Sequence, residues 1–268
     1  PPPPGTLERW AWDYLHAGDL AHKLTPPPMP DECEEAAPAR RVEAPSRPSL
    51  TLATRGEKTP GVEALRNPER RARLVHTFLH HELQAAELMA WAILTFAGEP
   101  VTFKRAVAGV LRDELRHMAM YAELLDREGV AFGRWAVNDW FWRRVPNAVT
   151  AAHFVAVMGI GFEGANLDHA TRFAERFRQI GDEPGARVLD VVRDEEVSHV
   201  RFAMHWFRKW TGATDFETWS AHLPRPLSPV LMKGSPIERE HRARAGFTGE
   251  FLDALDRVKL CPRDESGT

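Results

Sequence analysis

Four stretches of this chain set apolar residues in alternating steps of three and four, and a glutamate interrupts each one in phase. Such steps keep side chains on one face of an α-helix, so the interruptions fall on the face that packs inward. One series runs Phe103, Val107, Val110, Glu114, His117, Tyr121, Leu124, and another Leu189, Val192, Glu196, His199, Ala203, Trp206, Trp210. Two more carry a lone acid: Val75, Leu79, Glu82, Ala86, Met89, Ile93, Phe96, and Ala156, Ile160, Glu163, Leu167, Ala170, Ala174, Phe177. No strand-like alternation competes with this pattern. The expectation is an all-α chain built on a four-helix bundle with six polar groups at its centre.

Four carboxylates facing one apolar interior are costly, because burial and mutual repulsion both oppose ionisation. Two divalent cations would balance four negative charges, and two imidazoles would complete the coordination without adding charge. One Glu from each of two helices plus Glu-x-x-His from each of the other two is the ligand set of di-iron and di-manganese carboxylate bundles. Glu82, Glu114, His117, Glu163, Glu196 and His199 are therefore the candidate metal ligands. Glu-x-x-His alone is a weak signal. A third copy, Glu238/His241, follows Lys233-Gly-Ser-Pro236, sits among arginines and lacks an apolar seam, so it reads as solvated tail. The competing account is four structural carboxylates satisfied by arginines such as Arg112 and Arg193.

With 268 residues, 43% of them hydrophobic, and nine tryptophans, the chain can fill one large core. Its net charge of -3 demands neither nucleic acid nor membrane as partner. Cys33 and Cys261 are two distant thiols that imply no disulfide framework, as expected in a reducing cytoplasm. The longest apolar run, near Phe154 to Phe162, is too short to cross a bilayer. The chain begins at Pro1, which leaves upstream residues and targeting open.

Three parts are expected: a short helix and proline-rich arm over 1–66, the bundle over 67–210, and an extension over 211–268 that packs on the bundle. The first helix should cover about 6–23, followed by an irregular arm to Pro60. Bundle helices are expected over 67–97, 102–127, 147–180 and 182–210, interrupted at Gly98-Glu-Pro100, Gly129 and Gly181-Asp-Glu-Pro184. A short first connection makes antiparallel neighbours. The segment 130–146, with Phe132, Trp135, Trp140, Phe141 and Trp142, is long enough to cross the bundle. A short helix near 215–222 and a last one over 237–259 complete the chain.

Several runs carry a resemblance: His81-Glu-Leu-Gln-Ala-Ala-Glu-Leu88, Asp113-Glu-Leu-Arg-His117, Glu163-Gly-Ala-Asn-Leu-Asp168, Asp194-Glu-Glu-Val-Ser-His-Val-Arg-Phe202 and Arg242-Ala-Arg-Ala-Gly-Phe247. On these the chain resembles a ferritin-like family carried only as a domain of unknown function, alongside the di-iron carboxylate bundles. The resemblance implies a ferritin-like bundle with a long crossover between its second and third helices. It also implies two iron ions, with manganese or a mixed iron–manganese pair as alternatives. Dioxygen activation to oxidise or hydroxylate a substrate would follow, with an external electron donor as partner. Glu82, Glu114 and His117 would serve one metal and Glu163, Glu196 and His199 the other, with Glu114 and Glu196 as bridges. His81 departs from the bulky apolar residue that the family often keeps before its first ligand.

Around these six stand further candidates. Tyr121 lies one turn beyond His117 and is a candidate to hydrogen-bond a ligand, against plain packing. Glu87, inside the apolar run from Ala85 to Phe96, is a candidate seventh group, as a further carboxylate or the partner of a ring nitrogen. Asp113 and Asp194 are candidates to orient a histidine on a neighbouring helix. Gly159, Gly161 and Gly164 around Glu163 point to a helical bulge, a substrate approach or close packing. The arginine pairs and triplets at Arg143-Arg144, Arg172/Arg176/Arg178 and Arg239/Arg242/Arg244 read as solvated faces rather than RNA contacts. Ferroxidase or peroxide detoxification, and a metal-free interaction bundle, are the alternative functions. The sequence leaves substrate and oligomeric state open.

Overall fold

The computed structural model describes residues 1–54 and 59–259; Cys261 and the rest of the C-terminus lie outside them. Among the described residues the fold is helical, and its one β-type contact is an isolated bridge between Leu52 and Val137. No described helix is long and apolar enough to cross a membrane.

The N-terminal helix expected over 6–23 is two helices, α1 (Leu7–His16) and α2 (Leu20–Leu24). Gly18 parts them, and the Asp19 carboxylate restarts the chain by accepting the Ala21 N–H at 3.0 Å. The turn carries Lys23 back to the Tyr14 carbonyl at 2.5 Å. The described part of the arm that follows is irregular, as its prolines require, and the one-turn helix α3 (Val62–Leu65) comes after it. The arm is pinned to the bundle by backbone bonds such as Arg40 N–H to Leu94 O at 2.9 Å.

Four long helical units make the bundle. Asn67 caps α4 (Pro68–Thr95) by accepting the Arg70 N–H, with Pro68 in the first turn where its missing N–H costs nothing. Gly98-Glu-Pro100 turns the chain into α5 (Val101–Arg127). A looped crossover leads to the third unit, which begins at Ala151 rather than 147 because Pro146 lies in a 3-10 turn and Thr150 provides the cap. That unit comprises α6 (Ala151–Val155), a π-helix (Ala156–Glu163) and α7 (Gly164–Gln179). Asp182 then caps α8 (Glu183–Thr211), which ends at Gly212 in the left-handed region, φ 83°. Helix α4 packs on α5 and α7 on α8, and α5 meets α8 to close the centre.

The tail contains α9 (Phe216–Ala221) and two helices in place of the one expected over 237–259. These are α10 (Arg239–Ala245) and α11 (Gly249–Arg257), parted at Gly246, φ 108°. Arm and tail share the bundle's core: Leu7, Tyr14 and Leu15 from one and Trp219, Phe251 and Leu252 from the other join the same buried cluster as Trp91, Phe103 and Phe154.

The tail also accounts for the π-helix. The Trp219 indole donates to the Ala156 carbonyl at 2.9 Å, occupying an acceptor at the start of the widened turn. A Cβ at Gly159 would lie 2.1 Å from the Ala203 Cβ, and one at Gly161 2.7 Å from the Met232 Sδ. Of the three expectations for these glycines, the bulge and the close packing are found. Their packing partners are α8 and the tail.

Candidate metal centre

Each of the four acids arrives from a different helical unit. Glu82 lies midway along α4, Glu114 and His117 on α5, Glu163 at the last residue of the π-helix, and Glu196 and His199 on α8. Glu114, His117 and Glu196 are 0% exposed, and Glu82, the most accessible, 6%. One donor atom each from Glu82, Glu114, His117 and Glu196 lies within 4.8 Å of the others, a spacing suited to a metal ion.

Nδ1 of His117 stands 3.5 Å from Glu82, 3.6 Å from Glu114 and 4.0 Å from Glu196. Nδ1 of His199 stands 2.8 Å from Glu196 and 3.2 Å from Glu114. Glu114 and Glu196 thus reach both imidazoles, the placement a bridging carboxylate needs. The outer nitrogens are held from behind in a crossed pattern. Asp113, next to Glu114, lies 3.1 Å from His199 Nε2, while Glu195, next to Glu196, lies 2.8 Å from His117 Nε2. Arg116 ties these two supports together, donating to Asp113 at 2.8 Å and to Glu195 at 2.5 Å. Donation from Nε2–H to a carboxylate fixes the tautomer that leaves Nδ1 as the inward ligand atom.

Protons and imidazolium charge, rather than lysine or arginine, balance the acids. Burial raises the pKa of Glu82 well above the carboxylate range, with Glu114 adding to it. Burial likewise raises Glu163, reinforced by Glu196 and Glu114. At Glu114 burial pushes upward but is outweighed by the pull of the nearby His117 and His199 rings, and the carboxyl stays ionised far into acid. Burial disfavours charge on both histidines, yet Glu114, Glu195 and Glu82 raise His117, and Glu196, Asp113 and Glu114 raise His199. The arginines of the competing account are engaged elsewhere: Arg112 with Asp31, and Arg193 with Asp190 and Asp194.

Both oxygens of Glu114, Nδ1 of His117 and one oxygen of Glu163 are buried without a hydrogen-bond partner. Buried polar atoms are seldom left this way. Four orphaned donor atoms converging from two helical units fit one or two cations in the centre.

Tyr121 sits at this site. It is buried, and burial together with the nearby charges of Glu82, Glu196 and Glu114 drives its hydroxyl pKa upward. Glu87 does not belong to the cluster. It points to the arm, 3.0 Å from Lys23 Nζ and 3.3 Å from Arg47 Nε, because those two cations offer neutralisation inside the α1–α4 interface. Asp194 contacts His241 at 3.2 Å instead of a cluster histidine; the residue after it, Glu195, has that role. The Glu238/His241 pair is also not solvated tail. Glu238 caps α10, and His241 is half-buried against α8.

Sequence reasoning missed two groups here. Asn166 donates to Glu196 Oε1 at 3.1 Å, and its offset of three from Glu163 was the available signal. Asp168 holds Arg242 at 2.8 and 2.9 Å in a fully buried ion pair that fastens the tail to α7, a pairing across 74 positions with no local signature.

A cavity of about 910 Å³ opens against the cluster, with Glu82, Glu163 and Tyr121 in its wall. Phe78, Phe141, Phe162 and Phe173 supply much of its apolar surface. His81 is exposed, but to this cavity; the surrounding protein, together with His80 and His169, lowers its pKa to about 3 and keeps the ring neutral.

Comparison with known proteins places the chain in a family. The family described as "Protein of unknown function (DUF455)" matches residues 6–253, so the chain belongs to it. An uncharacterized protein of Haemophilus influenzae is 25% identical over 201 residues, which span 70% of this chain and 68% of that protein. No solved structure matches.

Proposed function

We propose that this protein is a ferritin-like di-metal carboxylate oxidoreductase, with two iron ions as its cofactor, that uses dioxygen to oxidise or hydroxylate an organic substrate. Manganese or a mixed pair would use the same donors. The single observation that carries the reading is the orphaned, converging donor set: Glu114, His117 and Glu163 present buried atoms with no hydrogen-bond partner. Glu82, Glu114 and His117 would hold one ion and Glu163, Glu196 and His199 the other. When bound, the metals would supply redox equivalents and a binding position for oxygen.

The chain's own residues do the rest. Asp113 and Glu195 accept from the Nε2–H groups and hold both imidazoles in one tautomer. Asn166 fixes one oxygen of Glu196. Glu82 and Glu163, which burial keeps protonated in the metal-free site, would give up those protons as ions bind. Tyr121 offers a hydroxyl at the cavity wall. The Phe-lined cavity gives the Glu82–Glu163 side an apolar approach and favours an organic substrate over a ferroxidase role, which needs only a path for ions.

Anaerobic ferrous titration followed by oxygen exposure, read by optical and Mössbauer spectroscopy, tests the reading. Two irons per chain and an oxygen-dependent spectral change are expected. A chain that binds no iron, or whose iron does not respond to oxygen, refutes it.

A further inference from the structure

The cavity beside the metal centre holds one polar side chain that the protein itself leaves unused. Four histidines lie in its wall, and three are engaged. His76 accepts the Gly133 N–H at 2.9 Å, His80 is bonded to Arg47 at 2.8 Å and to Gln84 at 3.2 Å, and His169 to Arg172 at 3.0 Å. His81 differs. Neither of its ring nitrogens has a hydrogen-bond partner among the described residues. A polar group enclosed by protein is seldom left in that state, so its partner must come from what occupies the cavity.

The surroundings of this imidazole define that occupant. Its ring packs edge-on against Phe141 of the crossover, with centroids 5.0 Å apart and 67° between the planes. Phe141 in turn meets Phe162 of the π-helix at 4.9 Å and Trp140 at 5.5 Å, and Trp140 meets Phe162 at 5.4 Å. All four side chains line the cavity, so α4, the crossover and the π-helix together build an aromatic corner with one hydrogen-bonding edge. Such a corner suits a flat ring, which aromatic side chains contact edge to face or in offset stacks. The rings bring no counter-charge, and an ionised group beside His81 would be stranded. A neutral hydroxyl both donates and accepts, as a neutral imidazole does, and satisfies it. Ala85, Ala165 and Ala170 leave the wall open around the corner, and a cavity of about 910 Å³ admits a fused-ring molecule.

We propose that the cavity binds a neutral hydroxylated aromatic molecule of fused-ring size, its hydroxyl paired with His81 and its ring against Trp140, Phe141 and Phe162. This names the substrate class for the proposed oxidoreductase, and it rests on that reading only for the fate of the ligand. Because His81 and Glu82 line the same cavity, a molecule held there lies beside the first carboxylate of the centre.

Equilibrium dialysis of the full chain after chelator treatment tests it, with 2-naphthol as the probe, naphthalene lacking the hydroxyl and 2-naphthoate carrying a charge in its place. Saturable 2-naphthol binding is expected, with 2-naphthoate weaker by about tenfold or more. His81→Phe keeps a ring and loses the hydrogen bond, so the ratio of 2-naphthol to naphthalene affinity should fall about fivefold, the scale of one neutral hydrogen bond. His81→Gln should keep part of that ratio. Loosened packing alone would weaken both probes alike and leave the ratio unmoved. Absent 2-naphthol binding, 2-naphthoate binding as tightly, or an unchanged ratio in His81→Phe overturns the proposal. If His81→Phe does not fold, His81→Ala supplies the same ratio. Because metal plays no part in this measurement, failed iron binding with intact 2-naphthol binding counts against the metal reading only. The converse result counts against the substrate class only.

Discussion

Asp168→Ala should destabilise the protein by about 3–5 kcal/mol, the cost of stranding one member of a buried ion pair. Arg242 is 0% exposed, and its Nε and Nη2 donate to the two Asp168 oxygens at 2.9 and 2.8 Å. The same carboxylate accepts the N–H of Gly234 at 2.6 Å and of Glu238 at 2.8 Å. Alanine leaves a guanidinium and two amides without their acceptor, each amide worth about 1–3 kcal/mol if it stays dry. The whole sum is not reached, because the tail can lift and let water in; the pair value is the expected size. Urea denaturation followed by circular dichroism gives the midpoint and slope. The companion Asp168→Ala/Arg242→Met double variant removes the stranded charge and should recover part of the loss. A single variant that loses less than about 1 kcal/mol, or a double variant no better than the sum of both singles, refutes the assignment of the tail's attachment to this pair.

Glu195→Gln and Asp113→Asn should each weaken cobalt(II) binding by about 10–100-fold through loss of imidazole support, read from the metal's absorption, and wild-type affinity in both would refute the crossed pattern. His76 accepts the Gly133 N–H at 2.9 Å, and burial, with His80 and Arg73 nearby, lowers its pKa from 6.5 to about 4. The unfolded chain therefore protonates first: this contribution is intact above pH about 6.5, declines toward pH about 4 and amounts to at most about 3 kcal/mol. Urea midpoints between pH 7 and 4 should fall less steeply for His76→Gln than for wild type, and parallel curves would refute the role. Gly159→Ala should cost about 1–3 kcal/mol by forcing the π-helix away from α8, and adding Ala203→Gly should restore midpoint stability; a tolerated single variant would show that the contact is not tight.

The bundle and its polar centre were legible because helix phase is a local property. Any acid that falls on an apolar seam announces itself, and Glu82, Glu114, Glu163 and Glu196 all did. Helix ends followed their signals where breakers are local too, as at Gly98-Glu-Pro100 and Gly181-Asp-Glu-Pro184. What escaped depends on distant partners. Glu87 looked like a candidate ligand because its neutralising cations, Lys23 in α2 and Arg47 in the irregular arm, lie 64 and 40 positions upstream. The choice of Glu195 over Asp194 as imidazole support turns on a one-residue rotation of about 100°, which a reading of acid clusters does not resolve. Neither the Asp168–Arg242 pair nor the cavity has a local pattern at all.

The widened turn at 156–163 behaves like a single-residue insertion that the chain never removed. Shortening this stretch by one position would allow an ordinary α-helix, a gain in local regularity, yet everything downstream would swing by about 100°. Glu163 and Asn166 would then leave the centre, and Asp168 would lose its grip on Arg242. The register of that one irregular turn therefore sets both the fourth carboxylate and the anchorage of the C-terminal segment, so neither can be redesigned without the other.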